Sequence, residues 1–144
     1  MATLRWYGDA LLSKIQKAQA KGIDETTIAC VAKAKMEAPI TYGDLRGSIQ
    51  MRPATLDLRG VVGHWGSFNL NYPIYVELGT RPHFPPVDML KEWARRKLGD
   101  ENLAFPVALK IAREGTKPNP FLMPAADQEY PKLAGRIRRH YKNG

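Results

Sequence analysis

The side chains that carry most protein chemistry are thinly spread along this chain. His64, His83 and His140 are the only histidines and Cys30 the only cysteine. None of them sits at the paired spacing by which histidine and cysteine hold zinc, so no metal ligand is assigned. The glycine-containing run Gly43–Ser48 lacks the lysine with which a phosphate-binding loop reaches its ligand. A second run, Gly60–Gly66, lies in strand-like sequence rather than at a helix start. No G-x-S-x-G nucleophile elbow occurs, and no spacing rule joins Ser48 or Ser67 to His64. Glu77 is the carboxylate to weigh, set among apolar neighbours in Tyr75-Val76-Glu77-Leu78-Gly79-Thr80. General acid or base work needs a second positioned group. The other reading is a carboxylate at a strand end held by hydrogen bonds or an ion pair, with Arg46, Arg81 and Lys117 as candidate partners. No catalytic, metal-binding or cofactor-binding residue is assigned.

The elements that must position these groups follow from length and patterning. A chain of 144 residues with 44% hydrophobic and 25% charged residues suits one folded domain. The longest apolar run, Ile28–Ala32, is far shorter than the about 20 residues of a membrane span, and no signal peptide is expected. Cys30 lies in that run and reads as a small core residue, with no intrachain disulfide open to it.

Leu4, Tyr7, Leu11, Ile15 and Ala18 recur at helical spacing and predict a helix over about 4–21, ended by Gly22. Asp24 as N-cap, with a staple of Ile23 on Ile28, predicts a second helix over 24–38 that buries Ile28, Val31, Ala32 and Met36 and stops before Pro39. Three short strands are expected at 45–51, 56–65 and 72–78, with a long exposed hairpin tip over 66–73. After the proline run 82–86 come helices over 87–98, closed by Gly99, and 106–114, ended at Gly115. A basic helix over about 125–141 follows the prolines of 118–124, bent or displaced by Pro131. Trp93, Phe84 and Phe121 are expected to pack on the core. The fold class is therefore α+β, a small antiparallel sheet flanked by helices.

The formal charge of +8 comes from 22 Lys and Arg against 14 Asp and Glu. It concentrates in residues 1–21, in Lys91, Arg95, Arg96 and Lys97, and in Lys132, Arg136, Arg138, Arg139 and Lys142. Such an excess suits nucleic acid, an acidic protein partner or simple solubility. Aromatic interleaving is sparse, limited near the terminus to Tyr141 beside His140.

Three stretches together are similar to one family. The segment from Ala38-Pro39-Ile40-Thr41-Tyr42-Gly43 through Asp44-Leu45-Arg46-Gly47-Ser48-Ile49 resembles the A-P-(V/I)-x-T-G-x-L-(R/K)-x-S-I segment of the tail-completion proteins. These are also called head-tail joining or neck proteins, of tailed double-stranded DNA bacteriophages. Tyr75-Val76-Glu77-Leu78-Gly79-Thr80-Arg81 resembles that family's Y-V-E-(F/L)-G-T, and Pro120-Phe121-Leu122-Met123-Pro124-Ala125 its P-F-L-x-P-A. Order and separation agree, and the region 82–117 looks like the longer variant found in many prophages. Many members carry Asp-Thr-Gly where Thr41-Tyr42-Gly43 stands here.

The resemblance implies a non-enzymatic virion protein that is assembled in the host cytoplasm. It forms a ring, typically a hexamer, at the head-tail junction. Its partners would be neck, connector and tail-tube or tail-terminator proteins, with double-stranded DNA passing without sequence recognition. By carry-over, Pro39, Gly43, Leu45 and Arg46 shape a corner near subunit contacts. Glu77, Gly79, Thr80 and Arg81 form a sheet end, and Phe121 and Pro124 anchor the last helix. Phe68 and Leu70 would reach a neighbouring subunit from the hairpin tip. Arg136, Arg138, Arg139 and Lys142 would face the ring exterior or an acidic partner, since a strongly basic channel would hold DNA phosphates. Two other readings stay open: a DNA-binding protein using the basic terminal helix, and a small enzyme around Glu77 and His64.

Overall fold

A computed structural model describes residues 2–39 and 44–144. It is an α+β domain, as expected, organised around one long helix. Helix α1 runs unbroken from Gly8 to Glu37, so the two helices expected on either side of Gly22 are one. Gly22 does not end the helix because its missing side chain serves packing: a Cβ there would stand 2.5 Å from Ile137 Cγ1. The buried face also differs from the expected one. Ala18, Gly22, Thr26, Cys30 and Ala34 repeat every four residues and are buried, while Leu11, Ile28 and Met36 are exposed. Small residues along this row let other backbones approach α1 closely, and larger apolar residues take the outer positions. The helix ends at Ala38, whose extended backbone is the geometry Pro39 requires of the residue before it.

Asp24 also has a different task from the one expected. Helix α2 (Asp44–Ser48) leads into strand β1 (Ile49–Asp57), which pairs antiparallel with β2 (Gly60–Ser67). The ladder is irregular between Arg52 and Thr55, beside Pro53, which has no N–H to donate. Ala54 N donates instead to Asp24 Oδ1 at 2.7 Å, which ties the strand to α1. The sheet has two strands, not three. Its turn lies at Leu58-Arg59, where Arg59 N donates to Asp57 Oδ1 at 2.6 Å and Gly60 takes φ +114°. The expected hairpin tip over 66–73 is instead the connection from β2 into helix α3 (Pro73–Leu78), read from its Val, Ile and Tyr content as a strand. Pro73 at the first helical position favours the helix, because its fixed φ suits that place and the N–H it lacks would have had no partner there.

Helices α4 (Val87–Leu98) and α5 (Ala104–Glu114) pack on each other and agree closely with expectation, including the left-handed Gly99 that closes α4. Phe84 is not core: it lies half-exposed, edge-on to Phe105. The terminal helix divides as Pro131 demands, into α6 (Met123–Glu129), a 3-10 turn at Tyr130–Lys132, and α7 (Leu133–Asn143). The hairpin, α6 and α7 all pack on α1. The core gathers Ala34, Ala38, Leu45, Ile49, Phe121 and Ala125. No described helix is long and apolar enough to cross a membrane.

Candidate functional site

The three stretches that carry the family resemblance meet at one place. Ala38 and Leu45 from the first, Val76 from the second, and Phe121, Leu122 and Ala125 from the third belong to or pack against the same core. At its edge Glu77, 8% exposed, turns its carboxyl group onto the start of α6. Phe121 N and Leu122 N donate to Oε2 at 2.8 and 2.9 Å, and Met123 N donates to Oε1 at 2.8 Å. These amides precede or open a helix and have no partner within it, so a carboxylate from another part of the chain satisfies three of them together. Glu77 is thus a structural carboxylate closing a helix start, and neither Arg46, Arg81 nor Lys117 is its partner. His64 stands exposed on β2 and makes no hydrogen bond to it.

Three residues beyond Glu77, the chain is clasped at Thr80. Thr80 and Thr116 exchange backbone hydrogen bonds at 3.1 and 3.2 Å, and their hydroxyls lie 2.9 Å apart. Gly79 and Gly115, each at φ +72°, precede them, and a Cβ on either would collide with the other threonine's carbonyl oxygen. The clasp closes the segment that contains α4 and α5. Between this segment and α3 runs an apolar groove, a cavity of about 1040 Å³ lined by Tyr75, Val76, Leu90 and Ile111 with Arg81 at its rim. It shares Pro39, Val76 and Leu90 with a second cavity of about 480 Å³, lined also by Met89 and Trp93 with Asp44 at its rim.

The expected interface residues divide between the interior and this surface. Leu45 and Phe121 are buried, Pro124 is half-buried, and Arg46 Nε donates to Ala38 O at 3.2 Å inside the corner it was expected to shape. Phe68 and Leu70 do not project: the Arg52 guanidinium lies 4.1 Å from the centre of the Phe68 ring, and Leu70 packs against the core. Pro39, Gly79, Thr80 and Arg81 line the groove. Gly43 lies outside the described residues.

The basic cluster divides too. Arg136 bonds Glu129 Oε2 at 2.5 Å and Thr26 Oγ1 at 3.1 Å, and Arg139 pairs with Glu25. Arg138 and Lys142 are exposed and form no ion pair among the described residues. Lys33 at 2.9 Å and Lys132 at 3.0 Å complete the cage around the buried Glu129. Hydrogen bonds from Arg136 and Lys33 overcome burial and hold its carboxyl down at about 2. Arg139 and His140 lower Glu25 in the same way, and burial raises the Cys30 thiol. This network links α1, α6 and α7 and holds the fold together. Sequence reasoning missed it, because cation and acid lie far apart along the chain, as in Lys33 and Glu129. The clasp left a trace in the repeated Gly-Thr of 79–80 and 115–116.

Among the described residues no group of three histidine, cysteine or acidic side chains is placed to hold a metal ion. No family model, no curated protein and no solved structure matches the chain.

Proposed function

We propose that this protein is a tail-completion, or head-tail connector, subunit of a tailed bacteriophage, forming a ring at the neck through which DNA passes. The observation that carries the reading is the convergence of the three resembling stretches. Glu77 joins the second stretch to the third through the amides of Phe121, Leu122 and Met123, and Ala38, Leu45 and Ile49 of the first pack in the same core, so the residues that carry the likeness are also those that build one structural node. A second support is the exposed apolar surface. Leu4, Trp6 and Tyr7 at one end of α1, and Tyr75 and Met89 at the groove, remain open in the single subunit, as expected of a chain that completes its burial in an assembly. The conversion of Arg136 and Arg139 into partners of Glu129 and Glu25 removes two of the four cations on which DNA binding by the terminal helix would rest.

The test is genetic and structural together. In a tailed phage encoding this chain, a nonsense mutation in its gene should yield filled heads and separate tails, with infectivity restored by the chain supplied in trans. Mass spectrometry should find the protein in purified particles. Normal infectious particles from the mutant, or particles lacking the protein, would overturn the reading.

A further inference from the structure

We infer that the N-terminal arm of one subunit docks into the α3–α4–α5 groove of a second copy, head to tail; this rests on the ring assembly proposed above. The arm, residues 2–7 and the first turns of α1, presents Leu4 at 92%, Trp6 at 80% and Tyr7 at 66% exposure, with Leu11 and Leu12 about half exposed. With each aromatic residue presenting about 150–250 Å², these side chains expose on the order of 600 Å² together. That approaches the about 800 Å² that each partner contributes to a stable interface. The groove offers a matching apolar lining in Val76, Leu90, Ile111 and Trp93.

Chain length decides whose arm fills it. The groove begins at Pro39, immediately beyond the end of α1, while the arm precedes its start. The 30 residues of α1 form a rod about 45 Å long. An arm over residues 2–7 spans at most about 20 Å when fully extended. No subunit can fill its own groove with its own arm, so the occupant comes from a second copy.

Charge gives the direction. Arg5 and Asp9 stand before and after the aromatic pair Trp6-Tyr7 of the arm, and of the two adjoining cavities Asp44 lines the one beside α2 and Arg81 the other. None of the four forms an ion pair among the described residues. Arg5 toward Asp44 and Asp9 toward Arg81 sets the arm with its start at the α2 end. The contact joins two different surfaces of the same chain and repeats from subunit to subunit. Such a contact generates a ring when its rotation closes and a filament when it does not.

The full-length chain carries the test. Sedimentation equilibrium should show Trp6→Ala and Leu4→Glu weakening self-association at least about tenfold, as loss of a buried anchor does, with circular dichroism unchanged. Asp9→Arg should weaken it as well, and Asp9→Arg combined with Arg81→Asp should restore it, a rescue that a folding defect does not produce. A short bismaleimide should join Leu4→Cys chains to Met89→Cys chains in a one-to-one mixture, the native Cys30 being buried. Self-association equal to wild type in the arm variants, absence of the rescue, or a wild-type chain that stays monomeric would overturn the inference. So would arm variants that fail to bind another neck protein while copies of this chain never cross-link. If arm variants self-associate normally and the protein is still found in particles, the docking inference fails and the virion role stands. If the protein is missing from particles, the virion role fails whatever the arm does.

Discussion

Phe121 N and Glu77 Oε2, from residues 44 positions apart, meet at 2.8 Å where α3 faces the start of α6. The bond belongs to a set of three that only a side chain with two acceptor oxygens can complete. Glu77→Ala leaves three amides without their acceptor, one of them buried. The expected loss is about 3–5 kcal/mol, from hydrogen bonds to a charged group worth about 1.5–3 each and not additive. Glu77→Gln keeps one acceptor oxygen and should lose about half as much. Urea midpoints of the two variants check the order, and equal losses would contradict the two-oxygen arrangement.

Gly22 and Ile137 set the distance between α1 and α7. In an exposed helix, Gly22→Ala would gain about 1 kcal/mol. Here the new Cβ would meet Ile137 Cγ1 at 2.5 Å and its backbone N at 3.0 Å. Overpacking of this kind costs about 1–3 kcal/mol, so the variant should be less stable. Ile137→Ala added to it should recover stability relative to the sum of the single changes. A double-mutant cycle by denaturation measures this coupling, and a stabilising Gly22→Ala would mean that the close approach is absent.

Glu129 makes stability sensitive to acid. Its carboxyl is held at about 2 in the fold, below an ordinary value of 4.5. A folded-state value below the unfolded one means that the stabilisation is complete above about pH 4.5 and is lost as pH falls toward 2. Glu129→Gln should lower stability by about 3 kcal/mol at neutral pH, because Arg136 loses its 2.5 Å carboxylate partner and keeps only the longer contact of its Nε with Glu25 at 3.7 Å. The same variant should flatten the fall between these limits. Urea denaturation across that window supplies the check.

The Gly-Thr clasp should be intolerant at its glycines and lenient at its hydroxyls. Gly115→Ala meets both a left-handed backbone and the carbonyl of Thr80, which together should cost about 2 kcal/mol or more. Thr116→Val removes one exposed hydroxyl contact and should cost under about 1 kcal/mol. Hydrogen exchange at the amides of Thr80 and Thr116 reads the clasp directly. Unprotected amides in the wild-type chain would show that it does not hold.

The elements that local rules govern were legible in the chain. Gly99 and the spacing of Val87–Leu98 marked α4, Pro131 marked the break before α7, and Pro39 marked the end of α1. The misread elements share a cause. Gly22 as a stop, Asp24 as a cap and Tyr72–Leu78 as a strand were sound local readings, and each was overruled by a partner distant in sequence or by the context of a single proline. Of the candidate site, Glu77 could be singled out from its apolar surroundings, but not its partners, because backbone amides carry no signature in the sequence.

By itself the sequence determined the α+β class, the placement of the helix ends that Pro and Gly impose, and three stretches whose likeness suggests a phage neck protein. These depend on neighbours within a turn or two, where propensity and covalent geometry act directly. Only the tertiary structure decided that α1 is continuous, that Glu77 closes α6, that Arg136 and Arg139 pair with Glu129 and Glu25, and that an apolar groove and an apolar arm lie at opposite ends of one rod. Each of these is a meeting between residues tens of positions apart. Close approach at a glycine, a shared carboxylate or a cavity is a property of the packed pair and of neither segment alone.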